Sequence, residues 1–193
     1  MPKNGMWILS RKFLIFIRNL GTRSAIHLYL QSKDNKMRIN LLCIGKTDDK
    51  EIKSLISYYQ NRLPKHWNFE LIEIPDIKNA KNLSPDLLKK EEAKSFLNHI
   101  ENSDHNVILD EKGKQFTSRE FAAKIDFWQN TSVKKVNFLI GGAYGFSEEI
   151  YEKANEKLSF SKMTFTHQMI RLFFVEQIYR TDQILQGKPY HND

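Results

Sequence analysis

The segment VNFLIGGAYG, residues 136–145, joins an apolar run to a glycine-rich loop. The run ending at Ile140 predicts a short buried β-strand, because a brief apolar stretch bounded by a turn signal is typical of one. Gly141 and Gly142 follow directly, and glycine lets backbone amides approach a ligand because no Cβ intervenes. The same pair would also suit a tight turn with no ligand, and the spacing leaves both interpretations open.

Strand-like runs alternate with helical periodicity on both sides of this segment. The predicted strands span 38–45, 69–74, 106–110 and 136–140, with a turn at 111–114 and a brief extended stretch at 158–163. The predicted helices span 49–63, 85–101, 147–157 and 166–186, with a further helix that begins at Thr117 or Ser118 and carries Trp128. This alternation indicates an α/β domain in which helices flank a largely parallel sheet.

The composition supports one hydrophobic core and little more. The chain has 193 residues, 40% of them hydrophobic, which suits a single domain. Its one cysteine, Cys43, lies in an apolar run and is interpreted as a buried strand thiol, so no disulfide framework or cysteine-based zinc site is expected. The lack of disulfides suits a reducing cytoplasm.

The positive charge is concentrated at the start of the chain. Residues 1–36 carry seven Lys and Arg against one acid, whereas the other 157 residues carry 23 basic and 22 acidic side chains. The apolar run 13–17 is too short to cross a bilayer. A basic amphipathic arm for a membrane or RNA is one interpretation of residues 1–36. The favoured one is an extension before Met37 that is dispensable or disordered, followed by a domain over 37–193.

Three loops that follow strand-like segments are candidates for a ligand site, namely 109–113, 141–145 and 159–164. Ligands of open α/β sheets usually bind beyond the carboxyl ends of the strands, so these loops are expected to face one pocket. A dinucleotide site fits poorly, because the motif is G-G-x-x-G and no acidic residue follows at the required distance. Metal binding is not expected, since His167 and His191 are separated by most of a helix.

The end of the chain is rich in side chains that can carry chemistry: His167, Gln168, Arg171, Glu176, Arg180, Tyr190 and His191. Each also has an ordinary interpretation. Arg171 would lie on a solvated face, Glu176 and Arg180 would form a surface ion pair, and the last residues would be a frayed tail.

Taken together, these segments resemble the RlmH methyltransferases, a family of small SPOUT enzymes, over essentially all of 37–193. The resemblance is carried by IGK at 44–46, LD at 109–110 with GK at 113–114, FLIGGA at 138–143, LSFSKMT at 158–164, HQ at 167–168, EQIYR at 176–180 and PYH at 189–191. It implies homodimers that methylate N3 of a pseudouridine in a stem-loop of bacterial large-subunit rRNA, in the cytoplasm and without a metal. It also implies a deep C-terminal trefoil knot.

The resemblance further implies S-adenosylmethionine as cofactor and assigns the site residues. The cofactor-binding residues would be Leu109, Gly141, Phe160, Ser161, Lys162, Met163, Thr164 and Phe165, and the catalytic residues His191, Tyr190 and Arg180. At Thr166 the family commonly has proline, which puts the rigidity of that position in question. A catalytically silent ribosome-binding relative and, remotely, a dinucleotide-dependent oxidoreductase are the alternatives.

The last helix is also predicted to form the dimer contact. Its apolar residues recur at three- and four-residue spacing, so pairing two copies would bury Phe173, Phe174 and Ile178. The same pairing would bring Arg171, Arg180 and the His191 tail together around one composite site.

Overall fold

The computed structural model describes residues 37–190, which form five strands and five α-helices. In chain order these are β1 Arg38–Ile44, α1 Lys50–Arg62, β2 Phe69–Ile74, α2 Pro85–Leu97, β3 His105–Gln115, α3 Ser118–Gln129, β4 Lys135–Ile140, α4 Glu148–Lys153, β5 Glu156–Ser159 and α5 His167–Leu185. The first 36 residues and the last three, including His191, lie outside the described part.

The five strands form one parallel sheet in the order β2-β1-β4-β3-β5. Leu41 on β1 lies opposite both Leu71 on β2 and Phe138 on β4. Leu109 on β3 lies opposite Ile140 on β4 and Leu158 on β5. The predicted α/β class with a parallel sheet and flanking helices is confirmed, and β4, which leads into the glycine loop, is the central strand.

The helices cover both faces of the sheet. Helices α1, α3 and α5 pack on one face, where the rings of Phe138 and Phe174 are 4.6 Å apart between centroids. Helices α2 and α4 pack on the other, where Phe96 joins a cluster with Leu139. Cys43 on β1 is fully buried, and burial raises the pKa of its thiol to about 12.

Local capping explains where the helices begin. Ser84 accepts a hydrogen bond from the Leu87 amide and Pro85 takes the first helical position of α2. Thr117, one of the two predicted caps of α3, forms a capping box with Glu120. Thr166 caps α5 by accepting a hydrogen bond from the Met169 amide at 3.2 Å, so the residue that departs from the family proline supplies the cap.

Two predicted boundaries are wrong around β5. The predicted turn at 111–114 lies inside β3, which shifts its pairing with β5 between Leu109 and Lys114. A Cβ on Gly113 would lie 2.6 Å from the Leu158 nitrogen, so glycine there permits close strand contact rather than a turn. Helix α4 ends at Lys153, because Asn155 hydrogen-bonds the backbone of β3 and aligns the next residues as β5.

The dimer face predicted for α5 also needs correction. Phe174 and Ile178 are fully buried against the sheet of their own chain, because both belong to the core on that face. Neither is available to a second copy, whereas Phe173 remains partly exposed. No helix within 37–190 is long and apolar enough to span a membrane. The trefoil knot stays a prediction.

Candidate active site

Residues of the three predicted segments 109–113, 141–145 and 159–164 line one pocket of about 580 Å³. The segments 141–145 and 159–164 lie at the carboxyl ends of β4 and β5, whereas 109–113 lies within β3, where its pairing with β5 shifts. Of the residues predicted to bind a cofactor, those that line it are Leu109, Gly141, Phe160, Ser161, Met163, Thr164 and Phe165. Lys162 is exposed and does not line the pocket. The structure thus brings nearly all of these residues together.

The glycine loop makes a tight turn at the pocket wall. The Gly145 amide donates to the Gly142 carbonyl at 3.0 Å, and Gly145 has a φ of 77°, in the region that favours glycine. A Cβ on Gly141 would lie 3.2 Å from the ring of Phe146. The tight turn is therefore confirmed, whereas close approach of a ligand to the glycine pair stays a prediction, although both glycines line the pocket.

The loop after β5 is ordered by its own serines. Ser159 donates to the Ser161 carbonyl at 2.8 Å, and the Ser161 hydroxyl accepts a hydrogen bond from the Met163 amide at 2.9 Å. Phe160 packs into the core beside Phe121 and Phe174. The loop is therefore anchored at one end, while the Met163 side chain remains 75% exposed and available to a ligand or a second molecule.

Asp110 and Tyr151 add a polar pair to the pocket wall. Tyr151 donates to Asp110 Oδ2 at 2.6 Å, and Asp110 Oδ1 accepts a hydrogen bond from the Lys112 amide at 2.8 Å. Burial, together with the Asp110 carboxylate, raises the pKa of Tyr151 to about 12. The phenol therefore stays protonated and holds the carboxylate in place. The sequence places Asp110 in a candidate ligand segment but gives no signal for Tyr151, because no local pattern links a helix residue to that strand.

Arg171 is not on a solvated face as predicted but is only 2% exposed. Its guanidinium donates to Thr47 Oγ1 at 3.0 Å and to the Ile44 carbonyl at 2.6 Å. It also lies 3.6 Å from Glu73, which accepts hydrogen bonds from Thr47. Arg171 therefore fastens α5 to the end of β1, and the prediction that it joins a composite site with Arg180 is wrong.

The start of α5 links this network to the pocket. Gln168 accepts a hydrogen bond from the Asp49 amide at 2.9 Å, while His167 and Ile170 line the pocket. Burial opposes ionisation of Glu73, but the hydrogen bonds from Thr47 outweigh it and lower the pKa of Glu73 below its ordinary value. Glu73 therefore stays ionised beside the buried Arg171.

The predicted catalytic residues Tyr190 and Arg180 lie together, but neither lines the pocket of the same chain. Arg180 donates to Glu176 Oε1 at 2.6 Å, and the Tyr190 hydroxyl donates to the same oxygen at 3.1 Å. Burial, reinforced by Tyr59 and Glu176, raises the pKa of Tyr190 above its ordinary value. The end of the described chain is therefore held against α5 rather than frayed.

Comparison with known proteins identifies the family. The family model described as "Predicted SPOUT methyltransferase" matches residues 37–191. This chain belongs to the SPOUT methyltransferase family. The match begins where the first strand begins and leaves the first 36 residues outside. The part of the chain that the structure describes contains no cluster of three or more acidic, histidine or cysteine side chains that could hold a metal ion.

Similar proteins share the name "Ribosomal RNA large subunit methyltransferase H". The protein of Christiangramia forsetii is 51% identical over 156 residues, which cover 81% of this chain and 99% of that protein. Those of Parabacteroides distasonis and Flavobacterium johnsoniae are each 49% identical, covering 81% of this chain and 100% and 99% of the relative. Membership of a methyltransferase family implies a methyl-donor cofactor and removes the dinucleotide-dependent oxidoreductase as an alternative.

Proposed function

We propose that this protein transfers a methyl group from S-adenosylmethionine to N3 of a pseudouridine in bacterial large-subunit rRNA. The observation that carries the proposal is the pocket formed by three separate segments of a SPOUT methyltransferase. The rRNA substrate is supported by relatives of 49–51% identity that are named ribosomal RNA large subunit methyltransferases and match over nearly their whole length.

The pocket residues fit such a cofactor. The volume of about 580 Å³ lies within the range of small-molecule sites, and its wall combines apolar side chains with a few polar groups. Gly141 contributes backbone to the pocket wall, and the Asp110 carboxylate offers acceptors for hydroxyl or ammonium groups. The pocket residues proposed to hold the cofactor are Leu109, Gly141, Phe160, Ser161, Met163, Thr164 and Phe165. Lys162, outside the pocket lining, is proposed to contact the cofactor from the same loop.

When bound, S-adenosylmethionine supplies an activated methyl group, and the chain must align the acceptor and remove a proton from its imide nitrogen. His191 is the proposed proton acceptor, because an imidazole with an unperturbed pKa of about 6.5 is mostly neutral near physiological pH and can take up a proton. Tyr190, whose pKa is raised, acts as a hydrogen-bond donor or stacking surface instead. Arg180, held by Glu176, stabilises negative charge on the base or phosphate.

The proposed active form is a homodimer. Within one chain, Tyr190 and Arg180 do not line the pocket, so a complete site requires the tail of a second copy to reach it. The rings of Tyr58, Tyr59, Tyr179 and Tyr190 form successive contacts at 5.0–5.6 Å on the side of α1 and α5. Tyr58 is 50% exposed, and this aromatic surface suits a protein contact.

Residues 37–193 are proposed to form the methyltransferase domain, with 1–36 as a dispensable extension, since the family match starts at Met37. The bacterial cytoplasm is the proposed location, because ribosomes are there.

Methyl incorporation tests the function directly. Purified protein and labelled S-adenosylmethionine are incubated with large subunits and with whole ribosomes from cells that lack this methylation, and the modified nucleotide is identified by mass spectrometry. We expect one N3-methylated pseudouridine per large subunit. Cofactor binding without methyl transfer to either particle would instead favour the catalytically silent ribosome-binding relative.

A further inference from the structure

Glu92 on α2 is a buried carboxylate that the proposed chemistry does not use. It is 7% exposed, and its carboxylate lies directly against Gly142 of the glycine loop. Among residues 37–190, no basic side chain forms an ion pair with it. Because burying an unpaired carboxylate is costly, stability of α2 alone does not explain its position.

The electrostatic surroundings agree with this geometry. Burial raises the pKa of Glu92 above its ordinary value; the hydrogen bond from Gly142 opposes the rise and the nearby charge of Asp76, after β2, adds to it. The hydrogen bond from the glycine loop is thus the favourable contact of this carboxylate. Because burying the Glu92 carboxylate beside the pocket costs free energy, its position suggests that it orders the glycine loop.

The fit between Glu92 and the loop is close. A Cβ on Gly142 would lie 2.6 Å from the carboxyl carbon of Glu92, so the contact depends on glycine. The loop residue Phe146 also contacts Phe96 on α2, with 6.0 Å between ring centroids. Helix α2 therefore supports the glycine loop at two points, one polar and one apolar.

We propose that Glu92 is a positioning residue for the cofactor pocket, whose carboxylate holds the Gly142 amide and fixes the glycine loop in the conformation that receives S-adenosylmethionine. Gly141 and Gly142 line the pocket, so the contact of Glu92 with Gly142 preorganises a surface that the ligand contacts. This inference rests on the proposed function, because it assigns Glu92 to the site of that cofactor.

The test compares three variants of the full chain by calorimetric titration with S-adenosylmethionine. Glu92→Leu removes the acceptor, Glu92→Gln keeps an acceptor oxygen, and Glu91→Leu is the matched control on the same helix, where Glu91 pairs with Lys94 at the surface. We expect Glu92→Leu to weaken binding about tenfold, as loss of one hydrogen bond to a charged group predicts. Glu92→Gln and Glu91→Leu should stay within about threefold of the parent protein.

Kinetics separate positioning from general damage. Glu92→Leu should raise the KM for S-adenosylmethionine with little change in kcat, while thermal denaturation checks that each variant is folded. Equal affinity of Glu92→Leu and the parent protein would overturn the role of Glu92, as would equal weakening by Glu91→Leu. If the parent protein itself does not bind S-adenosylmethionine, the proposed function fails instead.

A second measurement needs no folded Glu92 variant. The chain contains eight glycines, so ¹⁵N-glycine labelling gives a simple amide spectrum in which Gly142 can be assigned. We expect the Gly142 amide shift to follow the titration of Glu92, with a midpoint above that of an ordinary glutamate. A Gly142 shift that stays constant through the acidic range would show that the hydrogen bond is absent in solution and overturn the inference.

Discussion

Gly141 is a single residue on which the pocket wall depends. Replacing it by valine should abolish measurable binding of S-adenosylmethionine, because a Cβ there already lies 3.2 Å from the Phe146 ring and two further methyl groups would push the loop into the pocket. Calorimetric titration measures the loss, and circular dichroism checks the fold. A folded Gly141→Val protein with parental affinity would show that the pocket is misplaced.

His191 should set the pH dependence of the reaction. A proton acceptor must be neutral, so the single-turnover rate should rise as pH increases through about 6.5 and level off above it. His191→Ala should lower the rate and remove this rise. Tyr190→Phe should lower the rate without changing the shape of the profile, because the raised pKa of Tyr190 keeps its phenol protonated. An unchanged profile in His191→Ala would assign proton removal elsewhere.

At the scale of elements, Arg171 joins α5 to the end of β1. Arg171→Met should destabilise the protein by about 1–3 kcal/mol, because the partly buried Ile44 carbonyl and the Thr47 hydroxyl lose their donor. Urea denaturation measures the change. Arg62→Met is a suitable control, since Arg62 is exposed and lies over the Tyr58 ring, and it should cost below about 1 kcal/mol. Equal midpoints for the two variants would contradict this role.

The elements show how far the sequence leads. Apolar periodicity and the turn and cap residues predict the ends of β1, β2, β4 and α5 to within two residues, because the apolar patterns of these elements are long. The predicted turn around Gly113 is wrong, since a glycine that permits close contact between strands cannot be told from a turn glycine by its local sequence. Arg171 misleads because burial depends on partners 124 and 127 residues away. The three segments were grouped correctly because β3, β4 and β5 are neighbouring parallel strands, but 109–113 lies within β3 and not after it.

For the whole molecule, a truncated protein starting at Met37 should match the full chain in melting temperature and in rRNA methylation. The family match starts at this residue, and Met37 is itself buried at the start of β1. Differential scanning calorimetry and the ribosome assay measure the two properties side by side. A clear loss of either would show that residues 1–36 contribute to the protein.

Deleting residues 190–193 should abolish methyl transfer while leaving cofactor binding within about threefold of the parent, because the tail is proposed to act in the pocket of a second copy. Sedimentation should show a dimer for the parent protein. The matched control is Lys188→Ala, which changes an exposed residue just before the tail. A fully active monomer after this deletion would overturn both the composite site and the roles of Tyr190 and His191.

Alkylation of Cys43, in the buried strand β1, reports rare opening of the sheet. The thiolate is the form that reacts with alkylating reagents, and a fully buried thiol with a pKa of about 12 neither ionises nor meets them in the closed sheet. Labelling therefore proceeds only through molecules whose sheet has opened. Because the chain has one cysteine, a molecule that gains the mass of one label is a molecule whose sheet has opened. Ligands that keep the sheet closed should therefore lower the rate of Cys43 labelling, and no engineered probe is needed.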